Sequence, residues 1–338
     1  MIVSSWIKGM LSLTGSALVA LFLLIGSTGM ASAALNVEEY PLLKAFIEEM
    51  HQKHDIDPAE MKRWFEEVTL RPKVIRSIKK PAEKMPWHRY RKLFLSSSRA
   101  RQGAEFWKRY ALPLERAEQE FGIPPEIIVA IIGVESRFGR ARGGYPVIDS
   151  LTSLFINYSR RRTFFKSELE HYLLLAEEEG LDVNGTLGSY AGAMGIPQFI
   201  SSSYRNYAVD FNGDGRRDLI GTTEDAIGSV ANYLKRHHWK EGGAIVTTPK
   251  PGPALRELAT TSLKPLSTVD ELSSLGVLLE QSRPGDEPAG VVKLKLQLGD
   301  LFMVIHHNFY VISRYNHSLL YSMVINDLAE MIRRQYYR

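Results

Sequence analysis

Pro124-Pro-Glu-Ile-Ile-Val-Ala-Ile-Ile-Gly-Val-Glu-Ser-Arg-Phe-Gly139 is the stretch on which the reading turns. A proline pair opens it, and the fixed ring dihedral of proline suits a first helical turn. The run that follows to Val134 is almost wholly apolar, as a helix buried on all sides requires. At helical spacing Ile128, Ile131 and Ile132 share a stripe with Glu135. A carboxylate that ends such a stripe is desolvated, which disfavours its charged form and raises its pKa. That is the condition for a general acid near neutral pH. The same position also suits a structural glutamate paired with Arg137 or Arg140.

Upstream, residues 34–110 read as polar helices. Leu43, Phe46, Ile47 and Met50 recur at three- and four-residue steps, and Asp57-Pro58 opens a further short helix. Gly103 to Phe121 continues the helical pattern, restarts at Pro113 and ends at Gly122. Further helices fit Arg160–Glu179, Ser201–Ala208 and Glu224–Arg236. After Trp239, glycine, proline and threonine become frequent. Val292, Leu294, Leu296 and Leu298 alternate with Lys293, Lys295 and Gln297 as in a half-buried strand, and Phe302–Ile305 is a second strand candidate. Residues 245–300 therefore read as a small β-containing insertion in a core of residues 111–244, which residues 301–338 complete with a helix over Ser318–Gln335. The fold class is mainly α, α+β overall.

Residues 1–33 stand apart. Lys8 precedes an apolar run from Leu18 to Ile25, and Ala31-Ser-Ala-Ala34 follows. A positive flank, a short apolar core and an A-x-A site describe a secretory signal cut after Ala33; the alternative is an uncleaved inner-membrane anchor. The expected location is the periplasm. The 338 residues contain no cysteine, so an exported chain must fold without disulfides, and the lipoprotein route, which acylates a cysteine, is closed. A net charge of +4 in this length is too small and too scattered to indicate nucleic acid, but it suits an anionic polymer.

With those features in view, Gly133-Val-Glu-Ser-Arg-Phe-Gly139 resembles the catalytic-helix signature of the membrane-bound lytic murein transglycosylase B family. Pro86-Trp-His-Arg-Tyr-Arg91, Arg160-Arg161, Ser189-Tyr-Ala-Gly-Ala-Met-Gly-Ile-Pro-Gln-Phe199, Asp225-Ala-Ile-Gly-Ser-Val-Ala-Asn-Tyr233 and Arg314-Tyr-Asn-His-Ser318 resemble its other motifs, in the same order. The resemblance implies a lysozyme-like fold and a lytic transglycosylase, with Glu135 as the single catalytic acid. Glu135 would protonate the glycosidic oxygen between N-acetylmuramic acid and N-acetylglucosamine, then take a proton from the muramic C6 hydroxyl to close a 1,6-anhydro ring. No Asp or Glu lies between Glu135 and Asp149 in the chain, although retaining glycosidases use two carboxyl groups. A spatial partner such as Asp149 stays open.

The resemblance also implies that Ser189 and Gln198 line the sugar site. Tyr90, Tyr233, Tyr315 and Tyr321 give it rings or hydroxyls, and Asn316 binds a polar sugar group. Arg160 and Arg161 meet lactyl or stem-peptide carboxylates. Each has a plainer reading: the glycines of 189–199 serve a tight helix crossing, Asn316 caps the last helix, and the arginines are surface charges. Phe164 departs from the family, which often has tyrosine there.

Asp210-Phe-Asn212-Gly-Asp214-Gly-Arg216-Arg-Asp218 matches the first half of an EF-hand loop, with side-chain oxygens at positions one, three and five, glycine at six and a backbone carbonyl at seven. Position twelve is Gly221 instead of the closing glutamate; the resemblance assigns closure to Asp225. Structural calcium held by Asp210, Asn212, Asp214, the Arg216 carbonyl and Asp225 is therefore expected, and no organic cofactor; the plainer reading is an Asp/Asn/Gly-rich turn without metal. The expected partners are peptidoglycan strands and cell-wall synthesis enzymes, for a monomeric protein. A hydrolytic muramidase and a non-catalytic peptidoglycan binder are the competing functions.

Overall fold

Prolines and side-chain caps decide where the helices begin. The computed structural model describes residues 35–79 and 85–338; the leader read in residues 1–33 lies outside them. Helices α1 (Pro41–His54), α2 (Pro58–Glu66) and α3 (Pro72–Ile78) each carry proline at the first turn, where its missing N–H costs nothing. The Asp57 carboxylate also accepts the Ala59 amide at the start of α2. Then come α4 (Trp87–Phe94), α5 (Ser97–Arg109), capped by Ser96, and α6 (Ala111–Phe121), which ends at Gly122 with φ 71°. The sequence reading placed the interruption at Pro113, but the chain breaks at Tyr110. The proline ring would collide with the carbonyl four residues back, that of Arg109, and cannot donate to it. The helix therefore stops first and restarts with proline in its opening turn.

The core helix α7 (Pro125–Ser136) follows, then β1 (Tyr145–Pro146), α8 (Val147–Asn157), α9 (Arg162–Glu179), β2 (Leu187–Gly188), α10 (Ser201–Tyr207) and α11 (Thr223–Arg236). Strands β1 and β2 form a two-residue antiparallel ladder. Beyond them lie β3 (Val246–Thr247), α12 (Ala254–Leu258), β4 (Ser267–Thr268), α13 (Val269–Ser274), β5 (Pro288–Lys295), β6 (Asp300–His306), α14 (His307–Tyr315) and α15 (Leu319–Tyr336). Every residue of α7 from Ile127 to Gly133 is buried, as its all-round apolar sequence demands. Each large aliphatic side chain buried there contributes about 1.5–3 kcal/mol. Helices α5, α6, α11 and α15 pack around it.

Strands β3, β6, β5 and β4 form one antiparallel sheet in that order. Of the alternation read from Val292 to Leu298, the strand pairing ends at Lys295, Leu296 still packs against the group of Val292 and Leu294, and Leu298 departs from it. Gly299, at φ 77°, turns the chain, and the Leu296 amide bonds its carbonyl. Leu298 is left at the hairpin tip, 89% exposed. Nor is β5 half-buried over its whole length. Val292 and Leu294 face Trp87, Tyr90, Phe309 and Val324, while Ala289 and Val291 face Leu255, Leu272 and Val277 on the other side. Through that first group the sheet holds α4, with Tyr90, beside α15.

Candidate active site

Glu135 stands in the last turn of α7, half-buried. The helix ends abruptly because Arg137 and Phe138 both take left-handed conformations, at φ 52° and 60°, which costs non-glycine residues energy. Gly133 makes the reversal possible: a Cβ there would sit 2.6 Å from the Phe138 ring. The Ser136 hydroxyl accepts the Gly139 amide at 2.9 Å and fixes the turn. The chain is thus bent away directly beyond the carboxylate.

The hydroxyl of Tyr321 donates to Glu135 Oε1 at 2.6 Å. Tyr321 lies in the first turn of α15, which Ser318 caps by accepting the Tyr321 amide. Asn316 is therefore not the cap of that helix; it closes α14 in extended conformation. Burial, together with the neighbouring Glu135 carboxylate, pushes the ionisation of both Tyr321 and Tyr315 well above the usual phenol range. Tyr90 is buried and faces Tyr321 electrostatically.

Tyr315 bonds the Pro197 carbonyl at 2.6 Å, and Tyr233 bonds the Arg314 carbonyl at 2.5 Å. Their rings lie 4.9 Å apart, with Phe199 at 5.6–5.7 Å from each. This aromatic group anchors the segment Ser189–Phe199, whose turns are held from within. The Ser189 hydroxyl accepts the amides of Ala191 and Ala193, and Gln198, at φ 52°, donates its side-chain amide to the carbonyls of Gly195 and Arg142. The structure thus brings Glu135, Tyr321, Tyr315, Tyr233, Tyr90 and the Gln198 segment into one connected neighbourhood. Arg160 and Arg161 are exposed on the turn Ser159–Arg161. Arg161 stacks over Phe164 at 4.0 Å, an interaction that needs a ring but no hydroxyl.

Asp149 is committed elsewhere: its carboxylate takes two bonds from Arg71, at 2.7 and 2.9 Å, and the Thr69 amide at 3.0 Å. Sequence reasoning missed Arg99, which reaches the Gly133 carbonyl at 3.3 Å and lies over Phe94. Burial and nearby Arg137 lower its pKa. A cation against a helix C-terminus is a recognisable signal, but α5 gives no hint of which helix it meets.

In the loop after α10, Asp210 accepts the amides of Gly213, Asp214 and Gly215, and Asp214 accepts that of Arg216. Asp225, fully buried in the first turn of α11, accepts the amides of Phe211, Asn212 and Asp218. Burial raises its pKa, and Asp210 adds to the rise. Among the described residues no lysine or arginine pairs with Asp210, Asp214, Asp218 or Asp225, and no three acidic or histidine side chains converge on one point. The loop grips the cleft segment: the Ile196 amide bonds the Leu219 carbonyl at 2.8 Å, so closely that a Cβ on Gly195 would lie 2.2 Å from that oxygen.

Residues 38–330 match the model of the transglycosylase SLT domain. The chain belongs to that transglycosylase family. As a member of it, the chain is 38% identical over 303 residues to the membrane-bound lytic murein transglycosylase B of Escherichia coli strain K12, a match covering 86% of this chain and 82% of the relative. Among solved structures it resembles the catenated lytic transglycosylase SltB1 of Pseudomonas aeruginosa (TM-score 0.83, 39% identity, 87% and 97% covered). It also resembles Escherichia coli Slt35 in complex with calcium (0.82, 34%, 92% and 99%) and Pseudomonas aeruginosa SltB3 in complex with NAG-NAM-pentapeptide (0.76, 30%, 86% and 78%). The mainly helical, lysozyme-like fold with small sheets is the one these transglycosylases share.

Proposed function

We propose that Glu135 is the acid–base catalyst with which this murein lytic transglycosylase cuts the bond between N-acetylmuramic acid and N-acetylglucosamine. The observation that carries the assignment is the Tyr321 hydroxyl donating to Glu135 Oε1 at 2.6 Å, which orients the carboxyl group at the end of the apolar helix. Protonated Glu135 gives its proton to the glycosidic oxygen as the bond to muramic C1 breaks, and N-acetylglucosamine leaves with a free O4 hydroxyl. The Glu135 carboxylate, steadied by Tyr321, then takes the proton of the muramic C6 hydroxyl while that oxygen closes onto C1. No water is consumed, and Glu135 ends protonated for the next cycle. Ser189, Gln198, Asn316, Tyr90, Tyr233 and Tyr315 line the sugar path in this reading, and Arg160 and Arg161 meet substrate carboxylates.

A hydrolytic retaining mechanism calls for a second carboxylate about 5 Å from the acid. Asp149, the acid nearest in sequence on the C-terminal side, is spent on Arg71, which favours the lytic route. Mass spectrometry of muropeptides released from purified sacculi tests it: 1,6-anhydro ends are expected, and reducing muramic ends would refute it.

The loop from Asp210 to Asp225 is proposed to hold calcium. Unpaired acids around a buried carboxylate, with Asn212 and the Arg216 carbonyl as further oxygens, suit a hard cation. Calcium bound there would supply positive charge to offset the Asp210–Asp225 repulsion. Export to the periplasm under the leader 1–33 completes the reading, since murein lies outside the cytoplasm.

A further inference from the structure

Behind the turn that follows Glu135, three arginines converge on a cavity of about 230 Å³. Arg109 comes from the end of α5, and Arg140 and Arg142 from the turn after α7. Phe106, Tyr110 and Phe138 wall it, with the Phe106 ring 4.8 Å from Tyr110 and 5.8 Å from Phe138. Glu105 also lines it, yet among the described residues none of the three guanidiniums forms an ion pair. Arg140 bonds only the neutral amide oxygen of Gln102, at 2.6 Å. Arg142 is fixed by the carbonyls of Gly139 and Ile220. Two of the cations are therefore already held in place, and the third is free to close on a ligand. Three like charges facing one aromatic-walled space repel one another unless an anion joins them, and the planar guanidinium fork matches a carboxylate.

We propose that this pocket binds the C-terminal carboxylate of the peptide carried by the glycan strand. The inference rests on the murein reading above, since a peptide-substituted glycan brings that carboxylate to the enzyme. The pocket is coupled to the cleft by covalent geometry. Arg142 gives its carbonyl to Gln198, while Gly139, four residues from Glu135, forms part of the pocket wall. A peptide held there would position the strand without touching the scissile bond. This separates it from Arg160 and Arg161, which stand on a different turn.

The test is calorimetric titration of the full-length Glu135→Gln protein, which cannot turn over its ligand, with a disaccharide pentapeptide. The peptide is offered with its C-terminus as acid or as amide. The double change Arg109→Ala, Arg140→Ala should weaken the acid form about tenfold and leave the amide form unaltered; Arg142 is spared because it braces the turn. Equal weakening of both forms, or of neither, overturns the proposal. So does displacement of the acid peptide by an equal concentration of inorganic phosphate, which would assign the pocket to any small anion. Turnover of sacculi by the wild-type chain is measured separately. Its absence would strike the reaction assigned above, while the acid-versus-amide difference still decides the pocket.

Discussion

The Tyr321 hydroxyl lies 2.6 Å from Oε1 of Glu135, although 186 positions separate the two residues. One end of the last helix therefore sets the orientation of a side chain on the central one. A hydrogen bond to a charged partner is worth about 1.5–3 kcal/mol. Tyr321→Phe should lower kcat by about tenfold to hundredfold, with little change in KM. Steady-state release of anhydro-muropeptides measures it, and an unaltered kcat would show the bond to be idle.

Glu135→Gln keeps the size and hydrogen-bonding shape of the side chain but cannot carry the proton. Lysis of sacculi should vanish while the melting temperature and glycan binding stay near wild type. Substantial residual lysis would remove Glu135 from the mechanism.

Calcium should raise the melting temperature of chelator-stripped protein, and Asp210→Ala or Asp214→Ala should remove that gain. A ligand that binds only the folded state stabilises by about 2.7 kcal/mol at a hundredfold excess over its dissociation constant. Because Leu219 holds Ile196, loss of the ion should loosen the cleft loop on heating while leaving room-temperature turnover nearly intact. Identical melting curves with and without calcium would strike the metal from the loop.

Asp149→Ala leaves Arg71 without its carboxylate partner and removes the bond from the Thr69 amide to Asp149. Breaking a buried pair from one side costs about 3–5 kcal/mol, discounted here because the Arg71 side chain is 37% exposed. A drop in denaturation midpoint with unchanged kcat is expected; a loss of kcat alone would instead place Asp149 in the chemistry.

His306 is fully buried, donating to the Pro288 carbonyl and accepting from the Thr247 hydroxyl. Burial lowers its pKa below the ordinary histidine value of 6.5. The unfolded chain therefore takes up a proton as pH falls past that value, while the folded chain does not. The stability this neutral ring contributes is whole above about pH 6.5 and is lost as pH falls towards the folded pKa. His306→Asn should have a melting temperature that declines less between pH 7 and 5 than the wild type's. Parallel declines in both proteins would contradict the assignment.

Local chemistry made much of this legible. Apolar residues all around α7 announced a central helix, and Lys293 and Lys295 the exposed face of β5, whereas the cap of α15 is Ser318 and not Asn316. What sequence could not supply were facts of closure in space. Tyr321 meets Glu135, and Asp149 is consumed by Arg71, because helices distant in the chain pack side by side. Leu298 looked like a strand residue because alternation carries no information about where a hairpin turns. The arginine pocket escaped notice because its three cations come from two segments, neither of them unusual alone.

Tyr233, Tyr315 and Tyr321 each spend their single hydroxyl proton inside the protein, on the carbonyls of Arg314 and Pro197 and on Glu135. A phenol whose proton is already given away can only accept. In the sugar path proposed above, oxygens of this kind would have one polarity: they would reward hydroxyl and acetamido N–H groups and offer nothing to a fluorine or an ether at the same place. Selectivity along the proposed path would then be a matter of where the ligand carries its hydrogens, and deoxy-fluoro sugars, alike in shape to the natural ones, would be told apart by that alone.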